Sequence, residues 1–298
     1  MAGNPPFGQL LTAMVTPFGA GGELDLTAAA TLASYLVDDM HNDALVINGT
    51  TGESPTTTDV EKSDLLRAVK DAVGDRAKVV AGVGTFSTTH TVHLAEEAAK
   101  AGADGLLVVT PYYSKPPQAG LLAHFRTVAD ATDLPILLYD IPGRTATPIA
   151  TPTMITLAAH PNIVGVKDAK GDLTATSKVL SETELAYYSG DDALTLPLLS
   201  VGAVGVVGTS THFSGVGTKA MIEAFARGDV AGARRWHRTL LPIFTGVFAT
   251  QGCILVKAGL ALRGLPVGSV RPPLIDATED ETAALAAALT AAGLPAAP

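Results

Sequence analysis

Short apolar runs, rich in leucine and β-branched residues, recur along the chain at nearly even spacing. They fall at residues 10–15, 44–47, 78–81, 105–110, 135–139, 163–167, 186–189 and 205–208. Most are continuous rather than alternating, the pattern of strands buried on both faces of a parallel sheet. Between them lie stretches with helical spacing. Residues 27–39 place Ala30, Leu32, Leu36 and Val37 on one face, and residues 59–73 do the same with Val60, Leu65, Leu66 and Val69. Residues 88–101, 118–131, 151–159, 173–180 and 193–201 repeat the pattern. Strands alternating with helices imply βαβ units with right-handed crossovers. Eight such units in about 210 residues predict an α/β fold, the closed (β/α)8 or TIM barrel.

Beyond Gly208 no strand pattern continues. Residues 219–227, 231–247, 254–263 and 279–292 read as helices, punctuated at 228–229, 264–266 and 271–273 by Gly and Pro. The chain therefore divides into a barrel over residues 1–226 and a helical C-terminal domain over 227–298. A dinucleotide-binding doubly wound sheet is the competing fold. Its glycine fingerprint is met only by Gly82-Val83-Gly84-Thr85-Phe86-Ser87, where the third glycine is missing.

Composition narrows the function classes. Lys and Arg number 20 against 29 Asp and Glu, a formal charge of −9. That balance opposes binding to nucleic acid or to an anionic membrane surface. With 47% hydrophobic and 16% charged residues, a large core is available. The single cysteine, Cys253, can form neither an intramolecular disulfide nor a Cys-based zinc site. Residues 1–18 lack Lys and Arg and do not read as a secretory signal, and no apolar run is long enough to span a membrane. The expectation is a soluble cytoplasmic globular protein. Seven histidines are scattered without metal-site spacing (His90 and His93 are three apart on a helix), so no catalytic metal is expected.

A barrel places its chemistry where the strands end. Lys167 directly follows Ile163-Val164-Gly165-Val166. If Ile163 and Gly165 point one way, Lys167 points with them. It is either a lysine at a frayed strand end, snorkelling to water, or a buried amine whose lowered pKa lets it attack a carbonyl and form a Schiff base. Lys170 reads as a solvated loop charge. Tyr139 closes the run Ile136-Leu137-Leu138, as a core aromatic or as a phenol that relays protons. Thr50-Thr51, between two glycines, forms a turn able to hold a carboxylate. Arg144 is a surface charge unless its planar fork grips a substrate carboxylate.

Gly49-Thr50-Thr51-Gly52-Glu53-Ser54, Tyr139-Asp140-Ile141-Pro142-Gly143-Arg144, Gly165-Val166-Lys167-Asp168 and Ser189-Gly190-Asp191-Asp192 together resemble the dihydrodipicolinate synthase family. That family lies within the pyruvate-dependent class I aldolases, which include N-acetylneuraminate lyase. The resemblance starts at Thr12-Ala13-Met14-Val15-Thr16-Pro17-Phe18 and runs into the helical tail. It implies a TIM barrel with a three-helix extension, assembled as a homo-oligomer, usually a tetramer. It implies a lyase that condenses pyruvate with L-aspartate 4-semialdehyde in diaminopimelate and lysine biosynthesis, with no cofactor beyond a covalent Schiff base between pyruvate and Lys167. By the same resemblance Tyr139, Thr51 and Tyr113 form a proton relay, Tyr113 reaching in from a neighbouring subunit. Thr50 and Thr51 match the pyruvate-carboxylate turn, Arg144 the semialdehyde-carboxylate site, and Gly190 and Val207 backbone positions lining the site.

Sialic-acid lyases of this fold carry Ser-Thr at the Thr50-Thr51 position and lack an arginine matching Arg144, so both residues favour the synthase over another pyruvate-dependent lyase. A catalytically silent binding barrel would have lost one of the strand-end residues, and none is lost. Asp140 departs from the asparagine common at its position. Phe86 and His90 stand where lysine-inhibited members place an asparagine and a glutamate, whereas Ser54 and Tyr112 still fit that effector pocket.

Overall fold

The computed structural model describes residues 5–265 and 267–294. Pro266 of the 264–266 break, the first four residues and the last four of the expected helical extension lie outside the described residues. The chain runs β1 (Leu10–Ala13), α1 (Leu26–Asp38), β2 (Ala44–Ile47), α2 (Asp59–Val73), β3 (Lys78–Gly82), α3 (Thr88–Lys100), β4 (Gly105–Val109) and α4 (Gln118–Asp130). It continues with β5 (Ile136–Asp140), α5 (Pro142–Thr145), α6 (Thr151–Leu157), β6 (Ile163–Asp168), α7 (Leu173–Glu182), β7 (Ala186–Ser189), α8 (Thr195–Ser200) and β8 (Gly205–Gly208). Then come α9 (Thr211–Ala226), α10 (Val230–Gly246), α11 (Gly252–Leu262) and α12 (Glu279–Ala291).

The strands pair in parallel in sequence order, and β8 closes on β1. The continuous apolar runs resolve into two buried faces. Leu11, Ala13, Val46, Val80, Leu107, Leu137 and Tyr139 fill the barrel interior. Leu45, Ile47, Val79, Ala81, Leu106, Val108, Leu138 and Val166 pack outward on the helices. Strand side chains alternate, so a strand buried on both sides shows no polar face.

The register slips between β5 and β6, where Ile136 pairs with Ile163 but Leu137 pairs with Gly165. One extra residue in β6 breaks the alternation. Ile163 consequently packs on the outer core rather than sharing a face with Lys167 as expected. Gly165 is required by space, because a Cβ there would stand 2.4 Å from the Ala186 carbonyl oxygen and 2.8 Å from the Leu137 side chain.

Capping explains several helix starts. Thr58 and Glu61 form a reciprocal capping box on α2, and Thr278 with Glu281 repeats it on α12. The eighth barrel helix begins at Thr211, well before the apolar periodicity from residue 219 suggested. Its first turns carry buried His212, Ser214, Gly215 and Thr218, which hide a helix from a hydrophobic pattern. In the extension, α10 packs on α9 and α12, and α11 packs on α12. Among the described residues no helix is long and apolar enough to cross a membrane.

Candidate active site

Parallel strands deliver all their C-terminal ends to one rim. On that rim β5 and β6 are in register, with Tyr139 paired to Lys167 and Asp140 to Asp168. Val166 packs outward, so alternation turns Lys167 inward beside Tyr139. Lys167 is 5% exposed, which excludes a lysine snorkelling to water. Burial draws its ammonium down to about 8, with Asp192 opposing that fall and Arg144 adding to it. Its aliphatic stem fits because Gly190 has no side chain, since a Cβ there would lie 3.1 Å from Lys167 Cγ.

Tyr139 is buried, and its phenol is pushed up to about 12, chiefly by burial, while Arg144 and a hydrogen bond with the Thr50 side chain oppose the rise. The two threonines of the turn diverge. Thr51 Oγ1 lies 3.3 Å from Thr209 Oγ1. The hydroxyl acting on Tyr139 therefore belongs to Thr50, whereas the resemblance had given Thr51 that place. Successive residues of a tight turn point different ways, and only one can face β5. Thr209 is itself held by Asp192, whose Oδ2 accepts its N–H at 3.0 Å, while Oδ1 accepts the N–H and hydroxyl of Ser210 at 3.0 and 2.5 Å.

The turn that presents Thr50 is closely pinned. Asn48 and Glu53 adopt left-handed φ of 57° and 54°, so the chain reverses at both ends. Ser54 N–H donates to Gly49 O at 3.2 Å, and Thr16 Oγ1 donates to Gly52 O at 2.6 Å. From α2, Lys62 Nζ donates to the Ser54 carbonyl at 2.9 Å and the Thr57 carbonyl at 2.5 Å.

A cleft of about 480 Å³ opens over the rim, lined by Thr50, Tyr112, Tyr113, Tyr139, Arg144 and Gln251 together with Pro273 and Leu274. Arg144 is not a bare surface charge: α5 carries it, and its Nη2 donates to Gln251 Oε1 at 2.8 Å. Gln251 caps α11 by position, and nothing in its sequence neighbourhood singled it out. Tyr113 is 95% exposed, on backbone with a φ of 70°. Four expected site residues do not line the cleft: Lys167 lies over the Tyr139 ring, Gly190 packs on the Lys167 stem, Thr51 turns to Thr209, and Val207 is buried in the inner core beside Leu11.

Lys170 is not the solvated charge the sequence suggested. Its Nζ lies 3.2 Å from Oδ2 of Asp140, whose carboxyl is raised by burial and lowered by Lys170. Asp140 Oδ1 accepts the Ile149 N–H at 3.2 Å. The aspartate at an asparagine position is thus answered by a cation three residues beyond Lys167.

A buried lysine drawn down to about 8, a phenol, a threonine turn and an arginine converge here, a set able to form an imine, move a proton and bind carboxylates. Among the described residues, no group of three or more His, Cys, Asp or Glu side chains is placed to hold a metal ion.

The model of the dihydrodipicolinate synthetase family matches residues 6–292. The 4-hydroxy-tetrahydrodipicolinate synthase of Acidothermus cellulolyticus is 69% identical over 288 residues, covering 97% of this chain and 93% of that protein. Synthase 2 of Streptomyces coelicolor is 57% identical, covering 97% and 96% respectively. The crystal structure of the dihydrodipicolinate synthase of Cyanidioschyzon merolae, solved with lysine bound, superposes with a TM-score of 0.95 at 44% identity, covering 97% of this chain and 99% of that one.

Proposed function

Because the chain belongs to the dihydrodipicolinate synthetase family, we propose that it condenses pyruvate with L-aspartate 4-semialdehyde to give 4-hydroxy-tetrahydrodipicolinate, as a Schiff-base lyase serving diaminopimelate and lysine biosynthesis. The observation that carries this reading is Lys167, buried against the Tyr139 ring with its ammonium drawn down to about 8.

The neutral amine of Lys167 attacks the keto carbon of pyruvate, and uptake of one proton with loss of one water leaves a protonated imine. That imine is an electron sink, so a methyl proton departs and an enamine forms. The enamine carbon bonds to the aldehyde carbon of the semialdehyde, whose oxygen takes up a proton. The semialdehyde's amine then adds to the imine carbon and closes the ring, and the C–N bond to Lys167 breaks to return the free amine. No oxidant, metal or organic cofactor is consumed.

Tyr139 and Thr50 move protons at the imine, with Tyr113 of a neighbouring subunit completing the relay. The Thr50-Thr51 turn receives the pyruvate carboxylate, and Gly190 and Val207 bound the imine. Arg144 receives the semialdehyde carboxylate. Holding two anions in register is largely a matter of positioning. The active form is a homo-oligomer, a tetramer, in the cytoplasm.

Borohydride added with pyruvate should fix a three-carbon adduct on Lys167. Turnover should require the semialdehyde, and N-acetylneuraminate should not be cleaved. Cleavage of N-acetylneuraminate without condensation would overturn the reading.

A further inference from the structure

The turn bearing Thr50 and Thr51 is anchored from an unexpected direction, the helical extension. Glu53 closes that turn with left-handed backbone, and its side chain is fully buried. Its Oε1 lies 2.6 Å from Lys257 Nζ on α11, where the lysine side chain is 3% exposed. Its Oε2 accepts the Arg271 N–H at 2.8 Å. Lys257 also donates to the Ser269 carbonyl at 2.8 Å and lies 4.3 Å from the centre of the Phe18 ring. Arg271 covers the same ring at 4.0 Å and reaches Glu61 at 2.5 Å and the Thr56 carbonyl at 2.7 Å. One buried carboxylate therefore ties the substrate turn to two separate segments of the tail.

We infer that the buried Glu53–Lys257 ion pair is a positioning device that sets the Thr50-Thr51 turn for pyruvate, making α11 of the C-terminal extension part of the binding machinery. Both act through the turn rather than on the reacting atoms, so they are positioning residues and not catalytic ones. A buried ion pair is a poor source of net stability, because the desolvation of both ions offsets their attraction. Its directional geometry, however, fixes where the turn sits. Glu53 occupies left-handed backbone that few residues adopt without cost, and the paired carboxylate holds it there.

This inference rests on the proposed use of the turn by pyruvate, and its test separates the two. Lys257→Met alone strands a buried carboxylate, so the informative variant is the double one, Glu53→Gln/Lys257→Met, which removes both charges while the glutamine still accepts from Arg271 N–H. In the full-length protein, borohydride trapping is followed against pyruvate concentration, together with thermal unfolding. The double variant should unfold within a few degrees of the wild type and label Lys167 fully at saturation. Its half-saturating pyruvate concentration should rise at least fivefold. A half-saturation within twofold of the wild type would overturn the positioning role and leave the proposed function intact. A double variant that cannot fold would make the pair a folding requirement, which overturns it as well. A wild-type protein that traps no pyruvate would overturn the proposed function and this inference together.

Discussion

The Lys167 amine nitrogen lies 4.3 Å from the centre of the Tyr139 ring, the side chain of its register neighbour on β5. Two effects compete in that contact. The face of an aromatic ring favours an ammonium, by about 2 kcal/mol when desolvated. Burial favours the neutral amine and draws the lysine down to about 8. The ring thus leaves Lys167 able to lose its proton while still accommodating the cationic imine that follows.

A pH dependence follows. Only the neutral amine attacks pyruvate, and its fraction falls about tenfold per pH unit below the lysine's pKa. The rate of imine formation at saturating pyruvate should therefore climb from pH 6 to about 8 and level off above it. Rapid-quench borohydride trapping measures this directly. A rate independent of pH between 6 and 8, or label found on Lys170, would contradict the assignment.

Arg144 and Gln251 should separate the two substrates. Arg144→Ala should reduce kcat/KM for the semialdehyde by on the order of 2–3 kcal/mol, the worth of a charge-assisted pair, while pyruvate trapping persists. Gln251→Ala removes the 2.8 Å bond that orients the guanidinium and should cost about 1 kcal/mol, again only toward the semialdehyde. Steady-state kinetics with each substrate varied in turn decide the matter. Equal losses for both substrates would place Arg144 elsewhere in the reaction.

Tyr113 should make activity depend on assembly. A tyrosine that is 95% exposed on left-handed backbone costs conformational energy and buries nothing within its own chain. A role in a neighbouring site, as proposed above, would account for it. Oligomers mixed from Tyr113→Phe and Lys167→Ala chains should regain activity that neither parent shows, because some sites then combine intact residues from two chains. Full activity in a well-folded monomer would refute the shared site.

The barrel was readable because its strands are uninterrupted apolar runs and its motifs sit where those runs end. That rule raised Lys167, Tyr139 and Arg144 as candidates, each beside a structural alternative, and the family resemblance supplied their roles. The pattern erred where an element is buried through small or polar residues, as in the first turns of α9, and where one extra residue in β6 shifts Ile163 outward. The site's frame was less legible. Gln251, Thr209 and Lys257 meet it only through contacts of long sequence separation, the Arg144–Gln251 bond spanning 107 residues. Periodicity carries no record of such pairings. Which of Thr50 and Thr51 faces Tyr139 depends on the path of a turn, and two identical adjacent residues cannot show that path.

Free lysine should inhibit this protein weakly or not at all, although a relative from Cyanidioschyzon merolae was solved with lysine bound. A pocket for lysine must satisfy an ammonium and a carboxylate together, and burying either one unpaired is expensive. Phe86 cannot accept the hydrogen bonds of an asparagine, and here its ring is 61% exposed and meets Tyr112 edge-on at 5.5 Å. His90 supplies an imidazole where inhibited members place a carboxylate. The carboxylate that does stand nearby, Asp59, is already engaged, lying 3.0 Å from His90 Nε2 and 3.9 Å from His93 Nε2. An arriving ammonium would have to compete with both rings. Each missing charged contact removes about 1.5–3 kcal/mol, more than tenfold in affinity. Velocity measured against lysine concentration should stay nearly flat below 1 mM, on the order of the affinity that two lost contacts leave. Restoring the missing groups in Phe86→Asn/His90→Glu should make the same titration fall. Strong sub-millimolar inhibition of the unaltered protein would show that lysine finds its charged partners elsewhere.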